Sequence, residues 1–194
     1  MGVQGSEGSN SAESRGTVKG CETLAVAAGH LLAQCEAFVL SLPDAAFTAE
    51  SVTLQGGTVG KHLRHTLDHF AAALGWATGG EVTSQDAIDY DRRERNVPME
   101  TDRHAAVAGI AQLRDRLAEV SLQALDAPVR VRVMVTSDGQ EAELRSTLGR
   151  ELAFATHHAV HHQAMMQAIA REFGLETAGG FGKAPSTLKH ERGR

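Results

Sequence analysis

Apolar residues recur at three- and four-residue steps in four long stretches of this chain, which is the spacing of amphipathic helices. In the first stretch these positions are Leu24, Ala28, Leu31, Leu32, Cys35 and Val39. Pro43 would end this helix, and Thr58 is a suitable N-cap for the next one. The predicted helices cover residues 18–42, 58–76, 101–125 and 146–173. We therefore predict an all-α fold, a four-helix up-down bundle.

A strictly alternating segment interrupts the helical pattern. Residues 129–135 read VRVRVMV, and the sequence SDG at residues 137–139 is a turn signal. This alternation predicts a small β-hairpin before the last helix. Residues 43–57 are a predicted linker, and residues 79–100 are a predicted long loop with the charge run DYDRRER.

The chain ends differ in composition from the helical part. Residues 1–17 are rich in Gly, Ser and Glu, which predicts a disordered tail. Residues 18–188 form the predicted bundle domain, and residues 189–194 form a basic C-terminal tail. Gly2 and Ser6 match the pattern for N-myristoylation, which also arises by chance in a tail of this composition.

Length and charge exclude several classes of protein. A chain of 194 residues is the size of one domain. The net charge of −5 lacks the basic footprint of a nucleic-acid-binding protein. We expect no apolar run of the roughly 18 residues needed to span a membrane, and no secretory signal. Cys21 and Cys35 lie about 21 Å apart along one predicted helix, too far for a disulfide, and reduced thiols fit a cytoplasmic protein.

Histidines cluster on the fourth predicted helix. The sequence HHAVHH places imidazoles at His157, His158, His161 and His162. At about 100° per residue, His162 lies in the middle of the apolar stripe and His158 about 40° away, at its edge. These two residues are spaced i, i+4, so their imidazoles can reach one point in space. His157 and His161 point toward solvent in the same projection.

The second predicted helix carries a matching set. His62, His65 and His69 lie within about 60° of one another, and the projection does not choose among them. Three neutral imidazoles bind a first-row divalent metal and leave a coordination position open. A hydrogen-bonded histidine network, or a half-exposed polar face, would produce the same spacing. The HExxH motif of zinc proteases is absent from the sequence.

Four segments resemble the DinB/YfiT-like superfamily of helical-bundle metalloproteins, which is unrelated to the DNA polymerase called DinB. The resemblance extends over residues 24–188. The segments are TVGKHLRHTLDHF (58–70), RELAFATHHAVHHQA (150–164) and, typical of one subgroup, IDYDRRER (88–95) and FGKAPSTL (181–188).

The resemblance implies a metal site and its ligands. In the family, one histidine of the second helix and an HxxxH pair of the last helix bind a divalent metal, which here implies His65, His158 and His162. Asp68 also fits the motif around His65. His62 and His161 match subgroup positions that would support or replace a ligand. His69 and His157 are extra to the family pattern.

Three functions are compatible with this site. Characterised relatives use low-molecular-weight thiols, which implies a transferase that activates a small thiol on zinc, nickel or iron, with Arg92, Arg93, Arg95 or Lys183 binding an anionic thiol. A metal-dependent hydrolase is the second, with Glu151, His62 or His161 as proton shuttle. The third is a non-catalytic metal-binding or stress-response bundle. For the enzymes we expect a small-molecule substrate, no nucleic-acid or membrane partner, and a homodimer.

Overall fold

The computed structural model describes residues 7–77, 87–92 and 96–193, with side chains described from residue 19 and not for residues 76 and 77. Its α-helices are α1 (Glu7–Ser41), α2 (Asp44–Thr48), α3 (Val59–Ala77), α4 (Arg103–Glu119), α5 (Leu148–Glu172) and α6 (Pro185–Arg192). Short 3₁₀ helices cover Pro98–Glu100 and Leu122–Asp126. The strands are β1 (Ile88–Asp89), β2 (Pro128–Met134) and β3 (Glu141–Thr147).

Side-chain caps define where three of the long helices begin. The Thr58 hydroxyl accepts a hydrogen bond from the Lys61 amide at 3.0 Å, so the predicted cap of α3 is confirmed. Asp102 caps α4 through the His104 amide, and Thr147 caps α5 through the Arg150 amide. Each cap provides a partner for an amide that the helix itself leaves unpaired. The boundaries of the histidine-bearing helices are therefore set locally.

The protein is mostly helical, as predicted, and its core lies between the long helices. Helix α3 packs against α5 and α4, and α1 packs against α4 and α5. Fully buried apolar side chains from all four helices meet there, among them Leu32, Leu63, Phe70, Ile110, Leu152 and Met166. This packing holds the histidine-bearing faces of α3 and α5 against each other.

The predicted hairpin is confirmed and belongs to a larger sheet. Strands β2 and β3 pair antiparallel, with Val131 opposite Leu144. Strand β1 adds a third, parallel strand, and its Ile88 aligns with Val131. The sequence analysis had placed residues 88 and 89 in a loop. A two-residue strand is too short for its own alternation to be recognised, so only the partner strand reveals it.

Several boundaries differ from the sequence-based prediction. Helix α1 begins at Glu7, so residues 7–17 continue the helix where we predicted a disordered tail; residues 1–6, with Gly2 and Ser6, lie outside the described part. Extending an existing helix costs far less than starting one. Helix α4 ends at Glu119 and is followed by a 3₁₀ turn. Helix α2 lies within the predicted linker, and α6 follows α5 and crosses the predicted boundary at residue 188.

The segment FGKAPSTL binds back onto the helices. The Phe181 ring is buried and stacks on Phe38 of α1, with ring centroids 4.5 Å apart. Gly182 has a φ of 73°, and a Cβ atom there would lie 2.7 Å from the Cα of Ala164. Only glycine accepts both the backbone conformation and this close approach to α5. The motif is therefore a packing element for α1 and α5.

One segment of α1 passes a length-and-composition test for crossing a membrane. Lys19–Ser41 is long and apolar enough, so the expectation that no segment reaches this length was wrong. Isolated polar residues such as His30 and Gln34 interrupt the run without making the whole segment polar. The same segment supplies the core residues Ala28, Leu32 and Val39, and 28% of its apolar window is buried.

The two cysteines are expected to differ in reactivity. Both are free thiols, as predicted, and Cys35 is fully buried whereas Cys21 is partly exposed. Burial raises the pKa of Cys35 to about 11, and the thiolate is the reactive form. A chromogenic disulfide reagent should therefore titrate one thiol in the native protein and two after denaturation. The Cys21→Ser variant should show none in the native state, and rapid native labelling of that variant would contradict this prediction.

Candidate metal centre

Three imidazole nitrogens converge where α3 faces α5. The Nε2 atom of His158 lies 3.2 Å from Nε2 of His65 and 3.0 Å from Nε2 of His162. Two nitrogens bound to one metal at 2.0–2.1 Å are about 2.8–3.4 Å apart for bond angles between 90° and 109°. The structure therefore places Nε2 of His158 at separations suited to a shared ion from both His65 and His162, the other two residues that the family resemblance implied.

Hydrogen bonding alone does not satisfy this arrangement. An imidazole Nε2 carries either one proton or one lone pair, so His158 Nε2 cannot form good hydrogen bonds to two other Nε2 atoms at once. A divalent cation accepts a lone pair from each nitrogen. The donor set of neutral imidazoles therefore fits a metal ion.

The cluster keeps His162 neutral. Its side chain is buried, and burial together with the charges of His158, His65, His62 and His161 lowers the pKa of His162 to about 2. Burial also lowers the pKa of His62, with a smaller effect from His161. Neutral imidazole is the form that binds metals, so the local electrostatics favour metal binding at neutral pH.

Acidification is expected to destabilise the metal-free protein. An unfolded histidine has a pKa near about 6.5, whereas folded His162 resists protonation, so the unfolded state binds more protons and is favoured as pH falls. Thermal denaturation of chelator-treated protein should give a lower Tm at about pH 5.5 than at about pH 7.5. The His162→Asn variant should lose less Tm over the same interval. An equal loss in both proteins would contradict the assignment to His162.

His69 joins the cluster although the family pattern does not include it. Among the described residues, His65, His69 and His158 form the group whose ligand atoms all lie within 4.8 Å of one another, close enough to hold one ion, and His162 is not part of this group. Two triads thus share His65 and His158 and differ in the third imidazole, His162 or His69. The ligand set of His65, His158 and His162 stays a prediction.

The remaining histidines take different places. Nδ1 of His62 lies 3.1 Å from Nδ1 of His162. His62 therefore contacts the ring nitrogen of His162 that does not face His158. His161 is exposed, and its ring centroid lies 5.3 Å from that of His162. His157 is exposed and lines a cavity with His30 and Lys183 instead.

The hydrogen bonds that the structure shows for Glu151 go to residues other than the imidazoles. Glu151 is 2% exposed, and its carboxylate accepts hydrogen bonds from Tyr90 at 2.9 Å and from Ser146 at 2.5 Å. Arg150 also forms an ion pair with this carboxylate, at 3.1 Å. Burial and the adjacent carboxylate raise the pKa of Tyr90, so its phenol stays protonated and donates.

Tyr90 is a residue of this region that sequence reasoning missed. It follows β1 directly, and its ring stacks on His69 with centroids 5.0 Å apart and planes 16° apart. It is the single tyrosine of the chain and lies in the IDYDRRER segment, which is the signal that could have identified it.

The basic and acidic residues proposed around the site are placed as follows. Asp68 pairs with Arg64 one turn earlier on α3, at 2.5 Å. Arg92 is exposed and its amide donates to Asp89, while Arg93 and Arg95 lie outside the described residues. Lys183 pairs with Glu191 at 2.8 Å. Of the basic residues proposed to bind an anionic thiol, the two that the structure describes, Arg92 and Lys183, therefore show no contact with the imidazole cluster.

Comparison with known proteins identifies the family of this chain. FK506-binding protein 5 of Rhizopus delemar is 40% identical over 104 residues, which is 53% of this chain and 27% of that protein. This chain thus spans about a quarter of the length of that relative. No solved structure matches it at a significant level. The model of the DinB family matches residues 32–181, which include every imidazole of the cluster, and this chain therefore belongs to the DinB family.

Proposed function

We propose that this protein is a metal-dependent enzyme that holds one divalent cation between α3 and α5 and activates a small thiol for transfer to an electrophile. The observation that carries the proposal is the convergence of three Nε2 atoms, with His158 at 3.2 Å from His65 and 3.0 Å from His162. Family membership supports a metal at this place.

The donor set restricts the metal. Neutral imidazoles favour zinc, nickel or iron over magnesium and calcium, which prefer oxygen ligands. A bound cation of this kind would lower the pKa of a thiol or water that it coordinates. His65 and His158 are only partly buried, so a small molecule has access to that side of the cluster.

The residues around the cluster have separate tasks. His62 would accept a hydrogen bond from Nδ1 of His162, which directs Nε2 of His162 toward the other imidazoles. Phe154 stacks near His158, with centroids 5.7 Å apart, and is 37% exposed. Its ring would offer an apolar surface to a substrate beside the metal.

The scaffold that supports this function is, we infer, the predicted four-helix up-down bundle. The observed contacts of α1 with α4 and α5, and of α3 with the same two helices, support this arrangement. The homodimer, the cytoplasmic location and the absence of nucleic-acid and membrane partners stay predictions from the sequence. FK506-binding protein 5 is named for FK506, and a match to 27% of its length does not support that ligand for this chain.

Hydrolysis is the less favoured reaction. Glu151, the carboxylate considered as its proton shuttle, already accepts hydrogen bonds from Tyr90 and Ser146. A general base must lie within hydrogen-bond reach of the water that it activates. His62 and His161 remain the shuttle candidates for that reaction.

Metal analysis and a thiol assay test the proposal. Tag-free protein purified without chelator should contain about one equivalent of metal by mass spectrometry. Chelator-treated protein should consume a low-molecular-weight thiol with an electrophile only after zinc, nickel or iron is restored. Bound metal without turnover, across a panel of thiols and electrophiles, would overturn the enzyme in favour of a non-catalytic metal-binding protein. Absence of metal even after incubation with these ions would overturn both the enzyme and the non-catalytic metal-binding protein.

A further inference from the structure

His69 lies closest to His158 among the described histidine rings. The two centroids are 4.1 Å apart, compared with 4.5 Å between His158 and His162. His69 is 6% exposed and lies one helical turn after His65 on α3. It is therefore a buried imidazole at the inner side of the cluster.

The tautomer of His69 follows from its backbone contact. Its Nδ1 lies 3.0 Å from the carbonyl oxygen of His65. A carbonyl oxygen only accepts, so Nδ1 carries the proton and Nε2 carries the lone pair. Metal-binding histidines show this arrangement, with one nitrogen bonded to a carbonyl and the other on the ion.

A second contact fixes the plane of the His69 ring. The Tyr90 ring lies nearly parallel to it, at a centroid distance of 5.0 Å. Tyr90 cannot rotate freely, because its hydroxyl donates to Oε2 of Glu151 at 2.9 Å. The other oxygen of Glu151 accepts from Ser146 at 2.5 Å, so the carboxylate is also held.

The burial of Glu151 needs an explanation beyond packing. A buried carboxylate costs free energy unless hydrogen bonds compensate it, and an apolar residue would avoid that cost. Here the carboxylate joins the end of β3, through Ser146, to Tyr90 at the end of β1. These contacts place the Tyr90 ring against His69.

We propose that His69 is a fourth imidazole ligand of the metal centre and that Tyr90 and Glu151 are positioning residues that hold it toward the ion. The inference rests on the proposed function, because it assumes that the cluster binds a cation. A fourth imidazole would raise the affinity of the site for nickel, cobalt and zinc. It would leave open positions for substrate only on an ion with five or six ligands.

Cobalt(II) titration of the metal-free protein tests the inference. The visible bands of cobalt(II) report the number and type of its ligands, and the titration yields a Kd. We expect His69→Ala to weaken binding by about 10–100-fold and to change the spectrum. Tyr90→Leu and Glu151→Leu should weaken it by about tenfold, whereas Glu151→Gln, whose amide oxygen still accepts from Tyr90, should stay near wild type.

A double variant separates positioning from general destabilisation. If Tyr90 acts through His69, the His69→Ala/Tyr90→Leu protein should bind cobalt no more weakly than His69→Ala alone. His157→Ala, an exposed histidine of α5, serves as the matched control, and circular dichroism verifies that each variant is folded.

The possible results distinguish the two proposals. An unchanged Kd and spectrum in His69→Ala, with one cobalt still bound, would overturn the fourth ligand and leave the metal centre standing. Additive losses in the double variant would overturn the positioning role of Tyr90. No cobalt binding by the wild-type protein would overturn the proposed function itself.

Discussion

Replacing His158 with alanine is expected to abolish stoichiometric metal binding. His158 is one of the two imidazoles common to both possible triads, and it lies between the others, since its Nε2 contacts His65 and His162 and its ring lies against His69. Loss of this ligand removes the centre of the cluster rather than one edge. We expect the affinity for zinc to fall by more than about 100-fold, because changes to mere supporting residues of such sites already cost 10–100-fold.

The measurement is metal content by mass spectrometry together with a zinc titration of chelator-treated protein. His157→Ala is the matched control, since it removes the preceding histidine, which is exposed on the same helix. His162→Ala should also weaken zinc binding. Comparing its effect with that of His69→Ala would show which of these two imidazoles contributes more to the affinity. Full metal content in the His158→Ala protein would refute a metal centre built on α3 and α5.

Replacing Gly60 with alanine is expected to produce the largest loss of stability. Gly60 lies in the first turn of α3, where a Cβ atom would overlap the carbonyl oxygen of Glu100 and lie 2.8 Å from its carbonyl carbon. The obstacle is backbone, which cannot rotate away as a side chain can. Arg64 reinforces this junction through an ion pair with Glu100 at 2.9 Å.

We expect the free energy of unfolding to fall by about 3 kcal/mol or more, since overpacking of this kind must separate two elements. Denaturant titration measures this loss. Gly75 provides the control within the same helix, because no atom of the described residues lies within 4 Å of a Cβ atom there. Gly75→Ala should stabilise α3 by about 0.5–1 kcal/mol. Equal effects of the two substitutions would show that Gly60 is not a close-packing position.

The Gly60 variant also connects the fold to the site. Helix α3 carries His62, His65 and His69, and its first turn is held against the Pro98–Glu100 turn. A displacement of this turn would move all three imidazoles relative to α5. We therefore also expect the folded fraction of the Gly60→Ala protein to bind zinc more weakly than the wild-type protein.

The sequence alone determined the helical character of the protein and the pairing of histidines along each helix. Spacing by three and four residues is local geometry, so His158 and His162 had to share a face of α5. The caps at Thr58 and Thr147 are local as well. For this reason the imidazole-bearing helices and the hairpin could be recognised before any contact between distant residues was known.

Only the tertiary structure decided which groups surround the imidazoles. Tyr90 reaches His69 because β1 pairs with Val131 of β2, a contact between segments that are distant along the chain. The projection left His62, His65 and His69 equivalent, whereas packing against α5 places His65 and His69 near His158 and His62 near His162. Periodicity specifies a face of a helix, and the partner of that face is specified by the packing of the whole chain.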